Sequence, residues 1–114
     1  MSRRLTILAC LCALLVRAGS DGKDLFDRRC GGCHSAEKDK VGPRLAGVFG
    51  RAAASVPLFP FSEPLRKAGV VWNETTLDRW LADPEAFVPD SNMAFRMPSA
   101  EERKAIIDYL RQLR

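Results

Sequence analysis

The sequence is poor in the residues that structural metal sites and nucleic-acid surfaces require. Its 114 residues include one histidine and four cysteines, and two of those cysteines lie within the first 12 positions. A structural zinc site needs about four cysteine or histidine ligands, yet beyond residue 18 only three such residues remain, within one turn of chain. Lysine and arginine never occur in runs longer than two, which argues against a basic nucleic-acid-binding stripe.

Long apolar runs are also lacking, except near the N-terminus. Arg3 and Arg4 precede an apolar stretch over residues 5–16, which is too short for a bilayer-spanning helix of about 20 residues. Small residues around Ala18 then complete the pattern of a secretory signal peptide. We therefore predict a signal peptide at residues 1–18, one domain at residues 19–114, and export to a bacterial periplasm without stable membrane insertion.

Removal of that peptide changes the charge of the chain. The full sequence has a formal net charge of +4, but Arg3, Arg4 and Arg17 belong to the predicted signal. The remaining domain has 15 basic and 14 acidic residues, a net charge of +1. The domain is therefore nearly neutral, and no nucleic-acid partner is expected.

The most informative residues are Cys30-Gly31-Gly32-Cys33-His34. A Cys-x-x-Cys-His sequence is typical of covalent c-type haem attachment, because each thiol can add to one porphyrin vinyl group while the histidine offers an imidazole to the iron. His34 has no competing histidine. A redox disulfide between the two cysteines is the alternative, but it requires a βαβ context, which the sequence does not indicate.

Hydrophobic periodicity predicts helices joined by loops, with no alternating strand pattern. The first predicted helix runs from Ser20 or Asp21 into the motif, and a largely irregular segment over 35–72 follows, with a helical turn at 65–68. A second helix is predicted over 75–83, capped by Thr75 or Asn73 and stopped by Pro84, with a short turn at 85–88 after it. A capping box of Ser99 and Glu102 then begins a final amphipathic helix. The final helix is expected to pack against the first one.

A second protein ligand would fill the other axial position of a haem iron. A methionine thioether there stabilises the ferrous state, and only Met93 and Met97 remain after the predicted signal. Met93 lies in a Pro- and Asn-containing loop about 60 residues after His34, long enough to reach the opposite porphyrin face. We favour Met93 and keep Met97 as the second candidate.

At this point the chain resembles class I cytochromes c, of the mitochondrial type and of the bacterial cytochrome c2 type. The resemblance covers nearly all of residues 22–113. It is carried by Gly22 and Phe26, the Cys30–His34 motif, Gly42-Pro43-Arg44-Leu45, Phe49-Gly50-Arg51, Gly69 and Trp72, Leu77, the stretch Pro89–Phe95 that contains Met93, and Glu101-Glu102-Arg103 before Tyr109-Leu110. It implies a small all-α fold of three to five helices and loops wrapped around one covalent haem.

The resemblance also implies a role for each matching position. Cys30 and Cys33 would hold haem c, and His34 and Met93 would bind its iron. The Pro43 carbonyl would accept a hydrogen bond from His34, Arg51 and the Trp72 indole would donate to a haem propionate, and Phe95 would shield the methionine side. Ser62 and Ser91 would add hydroxyl donors. Phe61, Leu65 and Trp80 replace polar residues that are common in the family, which predicts a drier pocket.

The expected function is that of a soluble monohaem electron carrier and not of an enzyme. Its expected partners are a redox donor and acceptor that dock transiently at the haem edge, with Arg28, Arg29 and Arg96 as a reduced basic rim, and the protein itself is expected to be a monomer. The alternative is a haem protein with an open iron position, such as a peroxidase or a gas sensor, which would require that Met93 does not ligate.

Overall fold

The computed structural model describes residues 18–114, and within this range the chain is helical, with no strand beyond an isolated bridge between Ala52 and Val71. The five helices are α1 (Ala18–Arg29), α2 (Glu63–Lys67), α3 (Glu74–Ala82), α4 (Pro84–Phe87) and α5 (Ala100–Gln112). The predicted all-α class is confirmed. The predicted signal peptide lies outside the described residues except for Ala18, and it stays a prediction.

Helices α1 and α5 pack against each other, as the sequence predicts. Gly22 allows the close approach, because a Cβ atom built there would lie 2.7 Å from the Ala105 carbonyl oxygen. One helical turn later the rings of Phe26 and Tyr109 contact at a centroid distance of 5.2 Å. The buried face of α5 then continues through Ile106, Ile107 and Leu110 into the core.

The shorter helices follow the predicted pattern with small shifts. Asn73, one of the two predicted caps, caps α3 in a full capping box with Thr76, and the helix begins at Glu74, one residue earlier than predicted. Pro84 does not simply stop α3 but begins α4, where its missing N–H costs nothing. Asp83 caps that short helix by accepting a hydrogen bond from the Ala86 amide at 3.2 Å.

The predicted capping box of α5 is half formed. Ser99 Oγ accepts a hydrogen bond from the Glu102 amide at 3.2 Å, as expected. The Glu102 carboxylate, however, accepts from Arg29 at the end of α1, at 3.3 Å. An ion pair to the neighbouring helix therefore replaces the reciprocal bond to the backbone of Ser99.

The segment between the motif and α2 has no regular structure, as predicted. Its backbone is held by separate hydrogen bonds, such as Leu45 N–H to the Ser35 carbonyl at 3.0 Å and Gly50 N–H to the Trp72 carbonyl at 2.6 Å. Residues of this segment, Val48 and Val56 among them, are buried and face a cavity instead of another helix.

Among residues 18–114, no helix is both long and apolar enough to cross a membrane.

Candidate functional site

The chain encloses a cavity of about 510 Å³ with largely apolar walls. Every predicted site residue lines it, and these come from four separate parts of the chain: Cys30, Cys33 and His34 after α1, Pro43 and Arg51 in the long loop, Trp72 before α3, and Met93 and Phe95 after α4. The three residues that replace polar ones, Phe61, Leu65 and Trp80, are also in its walls. The fold therefore brings the predicted site together at one place.

The cysteine motif continues α1 as a tight turn. The amides of Cys30 and Gly31 both donate to the Phe26 carbonyl, at 2.8 and 2.9 Å, and the His34 amide donates to the Cys30 carbonyl at 2.8 Å. Both cysteines are free, with Cys33 exposed and Cys30 half-buried. Burial raises the pKa of the Cys30 thiol to about 11, despite the opposing charge of Arg29.

The tautomer of His34 follows from one hydrogen bond. Nδ1 lies 2.8 Å from the Pro43 carbonyl oxygen, and since a carbonyl only accepts, Nδ1 must carry the proton. Nε2 then keeps its lone pair. Burial lowers the pKa of His34, and the charge of Lys40 adds to this while the Pro43 carbonyl opposes it. Burial therefore favours the neutral ring, which is the state that a metal ligand needs.

Gly42 lies directly against the imidazole ring of His34. A Cβ atom at this position would overlap the ring, with both ring nitrogens only 2.7 Å away. The Gly42 amide also donates to the Cys33 carbonyl at 2.7 Å, which fixes the loop beneath the motif. Glycine is therefore required here for close approach and not for a left-handed backbone.

Met93 belongs to an irregular stretch between α4 and α5, residues 89–98, which we call the methionine loop. At its start, the Asp90 amide donates to the Glu85 carboxylate at 3.1 and 3.2 Å. Asp90 and Asn92 have left-handed backbones, with φ of 61° and 73°, a conformation that these two residue types tolerate better than most. Met93 itself is half-buried and lines the cavity.

Met97 lies elsewhere, although it is only four residues away. Its side chain is 0% exposed within the helical core, and it does not line the cavity. Its amide donates to the Leu81 carbonyl at 2.8 Å, which joins the end of the methionine loop to α3. Met97 therefore fits the common role of a methionine that fills space in the core, whereas the Met93 side chain can contact a group bound in the cavity.

Polar groups are few in the cavity wall. Arg51 donates from Nη1 to the Ala46 carbonyl and from Nη2 to the Arg44 carbonyl, both at 3.1 Å, so two of its five N–H groups are used by backbone. Burial lowers the pKa of Arg51, and the nearby charge of Arg44 adds to the effect. Trp72 is buried with its ring 5.3 Å from that of Trp80.

Ser91 has a buried hydroxyl group without a hydrogen-bond partner. Its side chain is buried, and its Oγ is the one buried side-chain oxygen or nitrogen in the described part of the chain without a hydrogen-bond partner. It also lines the cavity. An unpaired buried hydroxyl is costly, so this atom points to a polar group of a bound molecule.

The basic rim is largely neutralised by acidic neighbours. Arg29 pairs with Glu102 at 3.3 Å and lies 5.5 Å from the centre of the Phe95 ring, and Arg96 pairs with Asp83 at 3.0 Å. Two of the three predicted rim arginines are thus compensated. Leu77 and Leu81 of α3 also form part of the cavity wall. The sequence analysis did not assign them to the site, because helical periodicity indicates a buried face and not what covers it.

Comparison with known proteins gives a consistent result. A family model described as Cytochrome c matches residues 19–114. Cytochrome c2 iso-2 of Magnetospirillum molischianum is 44% identical over 88 residues, which cover 75% of this chain and 91% of that protein. Cytochrome c of Euglena viridis is 38% identical over 96 residues, covering 82% and 94%. The solved structure of cytochrome cH from Methylobacterium extorquens superimposes with a TM-score of 0.78 at 36% identity, covering 82% of this chain and 97% of that one.

Proposed function

The chain belongs to the cytochrome c family, whose cofactor is one covalently bound haem c, and on that premise we propose that His34 and Met93 both bind the haem iron in a shuttle for single electrons. The family makes the protein an electron carrier. The ligand pair, the attachment residues, the compartment and the docking mode are the parts that we propose.

The residues of the cavity fit such a group. A porphyrin has a wide apolar face and two carboxylates at one edge, and the cavity offers apolar walls together with a few hydrogen-bond donors. The unpaired hydroxyl of Ser91, the remaining N–H groups of Arg51 and the indole of Trp72 are suited to a carboxylate, which is costly to bury without partners. Cys30 and Cys33 would form the thioether links.

The two proposed ligands differ in how the chain holds them. His34 is fixed by the Pro43 carbonyl through Nδ1, which leaves Nε2 for the iron. Met93 is carried by a loop that is tied at both of its ends. Bound haem c supplies a one-electron iron couple, and a methionine ligand favours its reduced state. If His34 and Met93 both bound the iron, no coordination position would remain for a substrate, so a carrier would fit better than an enzyme.

The observation that carries this proposal is that Met93 lines the same cavity as Cys30, Cys33 and His34, whereas Met97 does not. The test is the pair Met93→Ala and Met97→Ala in haem-loaded protein. We expect Met93→Ala to keep the haem but to bind cyanide and carbon monoxide readily, with loss of the methionine–iron charge-transfer band. Met97→Ala should keep the band and should lower only stability, by about 2–5 kcal/mol.

The opposite pattern, with free ligand binding in Met97→Ala only, would show that the ligand assignment is wrong. A high-spin spectrum of the unmodified protein would favour the open-site alternative. Both outcomes are read from the same absorption spectra.

We further propose that the protein acts in a bacterial periplasm. The predicted signal at residues 1–18 and the similarity to bacterial cytochromes c2 and cH support this. Because Arg29 and Arg96 are paired with acids of the same chain, docking to redox partners should depend only weakly on salt. Intact mass of the purified protein tests the first point, since it reports both the cleavage site and the added haem.

A further inference from the structure

Arg103 on α5 connects three parts of the structure through one guanidinium group. Its side chain is only 13% exposed, and its Nε donates to Asp78 Oδ1 of α3 at 2.7 Å. Its Nη1 donates to the carbonyl oxygens of Met97 and Pro98, at 2.9 and 2.8 Å. These two carbonyls form the C-terminal end of the methionine loop.

The methionine loop has a small number of other attachments. Within the loop, Arg96 pairs with Asp83 at 3.0 Å, and the Phe95 ring lies 5.5 Å from the Arg29 guanidinium group. The start of the loop is tied by the Asp90 amide to the Glu85 carboxylate, and its end by the Met97 amide to the Leu81 carbonyl at 2.8 Å and by the buried Met97 side chain. Between these points the loop contains no helix or strand. Met93 therefore lies in an irregular stretch whose C-terminal end, at Met97 and Pro98, is held by hydrogen bonds from Arg103 and to Leu81.

We propose that Arg103 is a positioning residue for Met93, and that Asp78 orients its guanidinium group. The inference rests on the proposed ligation by Met93. A loop that carries an iron ligand exchanges between an arrangement with the ligand in place and others with the ligand withdrawn. Arg103 stabilises the first arrangement through charge-assisted hydrogen bonds in a half-buried site, where such bonds are strongest.

This role predicts a measurable change in the affinity of the iron for external ligands. A small ligand such as imidazole reaches the iron only when Met93 is withdrawn, so its apparent affinity reports the fraction of withdrawn loop. Loss of the bonds from Arg103 should raise that fraction. A residue that merely joined α3 to α5 would change the unfolding free energy without a comparable change in imidazole affinity.

The chain provides a matched control for this distinction. Arg111 of α5 pairs with Glu74 of α3 at 3.3 Å, so it links the same two helices, but its carboxylate partner lies at the start of α3. Both side chains are about half exposed. Neither the pair nor its hydrogen bonds involve the methionine loop. Arg111→Met therefore removes a link between the helices without touching the loop end.

The experiment compares haem-loaded Arg103→Met, Arg103→Lys, Asp78→Asn and Arg111→Met with the unmodified protein. Ferric protein is titrated with imidazole while the methionine–iron charge-transfer band is followed, and guanidinium unfolding is measured in parallel. We expect imidazole to bind Arg103→Met about tenfold more tightly, as the loss of charge-assisted hydrogen bonds implies. Arg103→Lys and Asp78→Asn should fall between, and Arg111→Met should stay within about twofold.

Equal imidazole affinity in Arg103→Met and Arg111→Met, whatever their stability, would overturn the proposal. If Arg103→Met does not accumulate as folded protein, Arg103→Lys and Asp78→Asn decide the matter by the same comparison, and unchanged affinity in both overturns it.

Met93→Ala separates this proposal from the function on which it rests. If the unmodified protein lacks the charge-transfer band and binds imidazole as tightly as Met93→Ala does, ligation by Met93 is wrong and the role of Arg103 falls with it. If Met93→Ala binds imidazole more tightly than the unmodified protein but Arg103→Met does not, only the positioning role is wrong.

Discussion

Replacement of Gly42 by alanine is the sharpest test of how the histidine is held. The added methyl carbon would lie 2.7 Å from both ring nitrogens of His34 and still closer to the carbon between them. To reach an ordinary contact of 3.4 Å, the added carbon and the two ring nitrogens must separate by a further 0.7 Å, and the carbon between the nitrogens must move farther than that. A shift of that size can stretch the 2.8 Å bond between Nδ1 and the Pro43 carbonyl to the limit of a hydrogen bond.

The energetic consequence follows from these distances. Overpacking of a tight site costs about 1–3 kcal/mol, and loss of one hydrogen bond adds about 1 kcal/mol. A total of about 3 kcal/mol would lower the Tm of a domain of this size by roughly 12–24 °C. The imidazole would also lose the bond that selects its tautomer, so the spectrum of the haem-loaded protein should change.

The assay is thermal unfolding of the haem-loaded protein, followed by circular dichroism and by absorption. Gly32→Ala is the control, because a Cβ atom there meets nothing within 4 Å, and its effect should stay within about 1 kcal/mol. If Gly42→Ala and Gly32→Ala have the same Tm and the same spectrum, the contact between Gly42 and His34 does not constrain the site, and the reasoning is refuted.

Two further substitutions test other contacts. Ser91→Ala should destabilise the haem-loaded protein by about 1 kcal/mol if its buried hydroxyl donates to the cofactor; a gain in stability on urea unfolding would mean that the hydroxyl has no partner even there. Gly22→Ala should lower Tm, because its Cβ atom would lie 2.7 Å from the Ala105 carbonyl oxygen and must push α1 away from α5; a Tm equal to that of Gly32→Ala would contradict the close approach of the two helices.

The helices were predictable where local signals are strong. Asn73 and Ser99 are good N-caps followed by periodic apolar residues, and both cap the helices predicted from them. The prediction of a capping box for α5 was wrong in one half, because the Glu102 carboxylate accepts a hydrogen bond from Arg29 of α1. No local pattern could reveal this, since the two residues lie 73 positions apart and meet only when the helices pack.

The site shows the same division. The spacing of Cys30, Cys33 and His34 predicts the chemistry of attachment on its own, because all three lie within one turn of chain. The sequence favoured Met93 over Met97 by its place in the loop, and the fold adds an independent reason, since Met93 faces the cavity whereas Met97 lies in the core.

The sequence by itself thus determined the helical class, the cofactor motif and its single histidine, because these depend on residues that are neighbours along the chain. Only the tertiary structure decided which methionine faces the cavity, which hydroxyl is left without a partner, and how Arg103 ties the methionine loop to α3 and α5. The physical reason is that burial and hydrogen-bond partners at these positions come from segments far apart in sequence, which approach one another only when the core is packed.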